Sequence, residues 1–303
     1  MELKKNIEDL RILVIGDIML DRYVVGDVKR ISPEAPVAIV NVTNEYSTLG
    51  GCGNVIRNLR TIGAQVLCSA KIGQDKAGEE IINQLNTLKV EHKLIEGRNY
   101  TTIQKERIIA DDRQIQLLRI DREYLSPFND IVDYEFYSDL PGLIDIIIIS
   151  DYAKGMITNK LMQYIKSLGI KIIVDPKPSN EHLYKNVFMI TPNNEEFKQM
   201  EISHVKYVLR TMGKDGMVLY DRETGNNERI PSNPVNVYNV SGAGDTVVAI
   251  MGICLSLDLS PYMSATIANQ CAEYVVEQPG TSVVPKEIFN KIIYELEDIK
   301  GVL

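Results

Sequence analysis

The sequence predicts an α/β fold: a doubly wound, mostly parallel sheet with helices on both faces and a small antiparallel sheet projecting from it. Three observations carry this expectation. Short, continuous apolar runs alternate with amphipathic stretches of ten or more residues, the pattern of a parallel sheet covered on both sides. Two other segments alternate apolar and polar residues, as a half-exposed sheet requires. Finally, Val240-Ser241-Gly242-Ala243-Gly244-Asp245-Thr246 runs directly into Val247-Val248-Ala249-Ile250-Met251, a glycine-bearing loop entering a buried helix.

Taken in order, residues 11–16 read as a buried strand ending in a Gly-Asp turn, and residues 51–62 as a helix with Val55, Ile56 and Leu59 on one face. Residues 65–72 are a strand, after which Asp75 caps a helix running to about Leu88. Apolar strands follow at 143–150, 170–175 and 187–191, with an amphipathic helix over 158–168 between the first two. Strands at 207–211 and 217–221 continue the sheet, and helices over 243–257, 261–276 and 285–299 close it. The alternating segments are 20–43 and 100–121; the latter brackets an Asp111-Asp112-Arg113 turn and reads as a hairpin. Such a sheet serves as a lid over a site or as a contact in a homodimer. The chain is expected to form a single domain, 1–303, with lid segments at about 18–45 and 98–122.

Composition narrows the function. The 303 residues are 45% hydrophobic and 24% charged, those of an ordinary globular chain, and the net charge is −8. With a pI near 5.1, the composition argues against bulk electrostatic binding to nucleic acid or an anionic membrane. Any anionic substrate then needs a local cluster of Arg and Lys. Cys52, Cys68, Cys254 and Cys271 are widely spaced, without CxxC, so reduced and buried thiols are expected, not a zinc site. The N-terminus lacks the apolar core of a signal peptide, and no run is long enough to span a bilayer, so a cytoplasmic location is expected.

The polar clusters fall at strand ends, where ligands of doubly wound sheets bind. At 242–245 the unpaired N–H groups of a helix start suit a phosphate, and Gly242 and Gly244 let the backbone approach it. Asp245 beside a phosphate is costly unless it accepts the proton of an attacking hydroxyl; the alternative is a carboxylate that merely faces the helix dipole. Asp17 and Asn54, following Gly16 and Gly50-Gly51-Cys52-Gly53, suit bidentate contacts to sugar hydroxyls or ordinary turn chemistry. Gly73-Gln-Asp75-Lys-Ala-Gly78 is as well explained by a turn and N-cap as by a ligand. Asn193-Asn194-Glu195-Glu196 suits a hydrated Mg²⁺ or a plain helix start. Thr211-Met-Gly213-Lys-Asp-Gly216 is a hairpin turn or a phosphate loop, and GxxxxGK[ST] occurs nowhere.

The order Gly-Asp, GGxGN, GxDxxG, NxxE and SGAGDT resembles the PfkB (ribokinase-like) carbohydrate kinases over about residues 10–290. The segments Gly16–Tyr23, Arg30–Val37, Gln116–Asp121, Ser150–Gly155, Asp175–Lys177 and Thr191–Asn193 are most similar to the D-glycero-D-manno-heptose 7-phosphate kinases within it. The resemblance implies ATP and Mg²⁺ as cofactors and Asp245 as base, with the N–H groups of Gly242, Ala243 and Gly244 as anion hole. It places Asp17, Gly50, Gly51 and Asn54 at the sugar. Asn193, Glu196, Thr211, Gly213, Gly216 and Asn269 fall at the nucleotide, Glu196 also acting indirectly on Mg²⁺. Lys105, Arg107 and Arg119, with Arg30 and Arg113, are concentrated in the lid segments, where they suit a clamp on the substrate's phosphate. In bifunctional members a nucleotidyltransferase domain follows the kinase; a chain ending at Leu303 implies the kinase activity alone. The family's lid often doubles as a dimer clasp.

Three departures stand out. Asn239 replaces the Asp that relatives place near a monovalent-cation site, and Ser241 replaces Thr. Cys52-Gly53 stands where heptose kinases usually have Ala-Ala, which should loosen the helix start. Only residues 197–206 separate the NxxE helix from the next strand, where relatives place a further helix at the nucleotide edge. The leading expectation is ATP-dependent phosphorylation of a heptose 7-phosphate at its anomeric hydroxyl. The alternatives are a relative acting on another sugar or sugar phosphate, and a non-catalytic sugar-phosphate sensor.

Overall fold

The structure, a computed structural model, describes residues 5–97, 99–111, 115–124, 133–233, 235–278 and 280–301, with side chains to residue 296. A nine-stranded sheet runs β13-β12-β11-β10-β9-β8-β1-β4-β5. Its centre is β1 (Arg11–Gly16), flanked in parallel by β4 (Gln65–Gly73) and β8 (Ile146–Ser150). Beyond β4 lies β5 (Glu91–Gly97); beyond β8 come β9 (Ile172–Asp175), β10 (Met189–Ile190) and β11 (Tyr207–Thr211), all parallel. Antiparallel β12 (Met217–Asp221) and β13 (Asn227–Ile230) complete the edge.

The strand pleat sends alternate residues into two cores. Ile12 and Val14 of β1 enter one, with helices α1 (Cys52–Ile62), α2 (Lys76–Thr87), α6 (Ala243–Ser256), α7 (Pro261–Val276) and α8 (Lys286–Gly301). Leu13 and Ile15 enter the other, with α3 (Tyr134–Ser138), α4 (Asn159–Ser167) and α5 (Asn194–Gln199). Every residue of α6 from Asp245 to Ser256 is buried, which is why it reads as an unbroken apolar run and not as an amphipathic helix. All four cysteines are free and buried, as expected. Among the described residues no helix is long and apolar enough to cross a membrane.

The expected elements are present within a few residues. Two strands escaped the sequence reading, β5 (EHKLIEG) and β13 (NERI), because both are sheet edges whose polar composition hides them from a search for apolar runs.

A separate four-stranded sheet, ordered β3-β2-β6-β7, projects from the body. It consists of two antiparallel hairpins, β2 (Ile18–Ile31) with β3 (Ala38–Gly51) and β6 (Thr101–Ala110) with β7 (Ile115–Tyr124), joined by a parallel β2–β6 seam. The tip of the second hairpin, including Arg113, lies outside the described residues. Asp75 anchors this sheet to the body. One carboxylate oxygen caps α2 by accepting from the Gly78 N–H at 2.9 Å, and the other accepts from the Thr102 N–H of β6 at 2.9 Å. The GxDxxG motif is therefore accounted for as a cap and lid anchor.

Candidate active site

The strand order reverses between β1 and β8, and the carboxyl ends of these strands open the crevice where ligands of doubly wound sheets bind. The Asp17 carboxylate, just past β1, accepts three backbone N–H bonds: from Tyr152 at 2.9 Å, Lys154 at 3.0 Å and Met156 at 3.1 Å. It organises the loop after β8, so the turn-forming role weighed in the sequence takes most of its lone pairs. Burial, then the nearby Asp151 carboxylate, outweighs these bonds and pushes the Asp17 pKa to about 6.

Asp245 stands in the first turn of α6 and is 7% exposed. Its Oδ2 accepts from Asn54 Nδ2 at 2.9 Å, and its Oδ1 from the Tyr152 hydroxyl at 2.9 Å. Burial lifts its pKa from 3.8 to about 6, with the two hydrogen bonds opposing. Asn54 is oriented in turn by Arg57, whose Nη1 donates to its Oδ1 at 3.2 Å and to the Thr281 carbonyl at 3.2 Å. Gly242 has φ of +84°, and a Cβ there would meet Asn54 Nδ2 at 2.6 Å, so glycine is required by conformation and by space. At Gly244 a Cβ would meet nothing within 4 Å, leaving the helix start open. The Ala243 N–H reaches the Val240 carbonyl at 3.3 Å, a long bond. Asn239 Oδ1 accepts from the Ser241 N–H at 2.8 Å, so the amide keeps a turn-forming contact without bringing a carboxylate's charge.

The α6 start opens into a cavity of about 470 Å³ that Thr211, Gly213, Gly216, Ala243, Gly244 and Asn269 help to line. The structure thus collects four of the six residues expected at the nucleotide. Thr211–Gly216 is the hairpin turn weighed in the sequence, joining antiparallel β11 to β12, and Thr211, Gly213 and Gly216 also line the cavity. Buried Glu273 also lines the cavity. It accepts from Ser232 Oγ at 2.8 Å, the Asn233 N–H at 2.7 Å, Asn233 Nδ2 at 3.0 Å and Asn269 Nδ2 at 2.9 Å. Asn193 and Glu196 do not line the cavity. Asn193 Oδ1 caps α5, accepting from the Glu195 and Glu196 N–H groups at 2.9 and 3.0 Å. Glu196 closes the capping box from the Asn193 N–H at 3.0 Å and pairs with Lys177. Across the short 197–206 link the edge strands stay packed on α5: Phe197 stacks on Tyr220 at 5.3 Å, and Arg210 lies 4.7 Å from the Phe197 ring.

Two of the basic lid residues have carboxylate partners. Arg107 donates to Asp21 Oδ1 at 2.6 Å, and Arg119 makes a bidentate pair with Asp121 at 2.8 and 2.9 Å. Half-buried Lys105 lies 5.4 Å from the Tyr152 ring centre, whereas Arg30 is exposed near the end of β2. At Gly50 a Cβ would strike Asp21 Oδ2 at 2.1 Å, and Gly51 turns the chain at φ of +59° into α1. These two glycines therefore shape the site around Asp21 and the start of α1.

Sequence reasoning assigned no role to Asp21, Arg57, Tyr152, Asp175 or Lys177. All but Arg57 lie inside the motif segments quoted above, at or just beyond strand ends or on the first lid strand; that position is the signal that could have singled them out. Arg57 lay hidden on a helix, its function visible only through Asn54.

A doubly wound body, a lid sheet, and an acid at a glycine-rich helix start beside a cavity define the class of small-molecule kinases with this fold. The chain matches the pfkB family carbohydrate kinases over residues 9–287 and belongs to that family. It is 37% identical to the bifunctional protein HldE of Desulfatibacillum aliphaticivorans, covering 90% of this chain but 61% of that protein. Among solved structures it is similar to phosphofructokinase-2 of Escherichia coli in complex with potassium (TM-score 0.75, 18% identity, 95% and 99% of the two chains). It is likewise similar to Arabidopsis thaliana ribokinase complexed with ribose and ATP (TM-score 0.74, 17% identity, 94% and 98%).

Proposed function

We propose that the chain phosphorylates D-glycero-D-manno-heptose 7-phosphate at its anomeric O1, using ATP, to give the 1,7-bisphosphate. The observation that carries this is the placement of Asp245: a carboxylate held on both oxygens at the open start of α6, beside the cavity lined by nucleotide-side residues. The likeness to HldE and the heptose-kinase segments supports the choice of sugar. In the reaction Asp245 accepts the O1 proton, O1 bonds to the γ-phosphorus, and the bond to the β–γ bridging oxygen breaks, leaving ADP. Backbone N–H groups at 242–244 stabilise the transferred group, a bound anion competing with the Val240 carbonyl for the Ala243 N–H.

No cluster of three or more His, Cys, Asp or Glu among the described residues is placed to hold a metal directly. The residues leave a Mg²⁺ to arrive on the nucleotide phosphates and keep its waters, since Glu196, the expected carboxylate, lies off the cavity wall and is paired with Lys177. Such an ion supplies charge neutralisation at the phosphates. Lys105 is the lid cation best placed for the substrate's phosphate, since Arg107 and Arg119 are already engaged by carboxylates.

The lid is proposed to pair with its copy in a homodimer. Among the apolar lid side chains, Tyr23, Val25 and Ile103 are buried within the chain itself, at 4%, 6% and 1% exposure. Val37 and Leu117 remain exposed, together with Ile31, Val42, Ile115 and Leu118, and these carry the case for a partner.

A coupled ADP-release assay over a panel of sugar phosphates tests the function. Turnover greatest with the heptose 7-phosphate is expected; preference for another sugar supports the related-kinase alternative. Tight binding without turnover supports the sensor. Light scattering tests the homodimer, and a fully active particle of monomer mass ends that part of the proposal.

A further inference from the structure

Tyr152 occupies a singular place between lid, sheet and base. Its hydroxyl donates to Asp245 Oδ1 at 2.9 Å, and its backbone N–H donates to Asp17 Oδ2 at 2.9 Å. Its ring packs against Met19, Tyr100 and Ile103, the first on β2, the second just before β6 and the third within it. The ammonium groups of Lys105, from the lid, and Lys177, after β9, each lie 5.4 Å from its ring centre. Ring and backbone are therefore fixed independently of the hydroxyl, which leaves the hydroxyl free to fix something else.

We propose that Tyr152 is a positioning residue that holds the Asp245 carboxylate in place and in its charged form, with the lid bearing on the base through the Tyr152 ring. The proposal rests on Asp245 being the base in the reading above. Asn54 holds one carboxylate oxygen and Tyr152 the other, so the carboxylate cannot rotate without breaking a bond, and each oxygen keeps a lone pair for an incoming proton. The other charged or titratable groups facing Asp245 are Asp21 from the lid, Cys52 and Arg57 from α1, and Asp175 and Lys177 from the end of β9. Burial, followed by carboxylates including Asp245, holds the Tyr152 phenol well above its ordinary pKa, and it remains a donor throughout the working range.

Tyr152→Phe removes the hydroxyl and keeps the ring. Two readouts are taken: the acid limb of kcat/KM for the sugar phosphate, and the carboxyl titration of Asp245 by ¹³C NMR without substrate, assigned by its loss in Asp245→Asn. Both midpoints are expected to rise by about one pH unit. Relative activity at pH 6 then falls about five-fold, while activity near pH 8.5 changes far less. The KM for ATP is expected to stay within about two-fold, since the hydroxyl bonds the base and Tyr152 does not line the cavity. A midpoint that stays in place overturns the proposal. If the variant does not fold, 3-fluorotyrosine at position 152, a stronger donor of almost the same shape, should lower the NMR midpoint; an unmoved midpoint overturns it equally. The NMR arm needs no turnover. A chain that phosphorylates no sugar phosphate therefore defeats the kinase reading alone, and the titration still decides whether Tyr152 governs Asp245.

Discussion

Replacing Asp245 by Asn should abolish most activity and yet stabilise the fold at neutral and alkaline pH. Burial raises the folded pKa from 3.8 to about 6, a rise of about two units, each equivalent to about 1.4 kcal/mol. Because the folded value lies above the unfolded one, the folded state binds the extra proton between them. The group's contribution to stability is complete below about pH 4 and is lost as the pH rises through 6. By pH 8 the wild-type carboxylate therefore carries a cost of about 3 kcal/mol that an amide does not. The amide fits its surroundings: Asn54 can still donate to the carbonyl oxygen, and the Tyr152 hydroxyl can turn round to accept from the new Nδ2. Exchanging charge-assisted for neutral hydrogen bonds returns about 1 kcal/mol. The net gain is about 1–3 kcal/mol at pH 8, or roughly 2–6 °C in Tm. Thermal unfolding of both proteins at pH 8 and pH 5 is the assay, and the gain should shrink by about 1.4 kcal/mol at the lower pH. Turnover should fall by about 10²–10⁴. An Asn variant no more stable than wild type at pH 8, or a gain independent of pH, refutes the argument from burial. Turnover within a few-fold of wild type would falsify the assignment of the base.

Arg107→Ala leaves the buried Asp21 carboxylate without its guanidinium partner and should cost about 2–4 kcal/mol by urea titration; Lys105→Ala should instead raise the KM for the sugar phosphate while leaving stability and the KM for ATP near wild type. Glu273→Gln puts an amide donor among the donors that hold the 231–233 loop beside the cavity. It should raise the KM for ATP about five-fold or more without moving that for the sugar, and equal changes in both would contradict the placement. Gly53→Ala sets helix propensity against packing, because the new Cβ would lie 2.6 Å from Leu49 Cβ. Overpacking of about 1–3 kcal/mol should exceed the propensity gain of about 1 kcal/mol, so a more stable variant refutes the steric account. Charged residues at Val37 and Ile39 together should dissociate a lid-paired dimer in light scattering, and a dimer that survives them is not held by this face.

The sequence by itself determined whatever follows from local periodicity and turn chemistry. Continuous apolar strands such as Ile146–Ser150, the Asp75 and Thr158 helix caps, the 101–110 and 115–124 hairpin and the glycine start of α6 all carry their signals in adjacent residues. Motif order carried the family as well. What only the tertiary structure decided is how side chains far apart in the chain share their hydrogen-bonding capacity. Asp17 and Asp245 look alike as acids after glycine, yet one is occupied by three backbone amides of the 152–156 loop, while the other is gripped by residues 191 positions before it and 93 positions before it. Arg107, Arg119 and Glu196 could be read as ligand groups until their partners Asp21, Asp121 and Lys177 were placed beside them. A donor or acceptor has a small, fixed number of bonds to give. Which neighbours claim them depends on contacts that form only when the sheet, the lid and α6 have packed together.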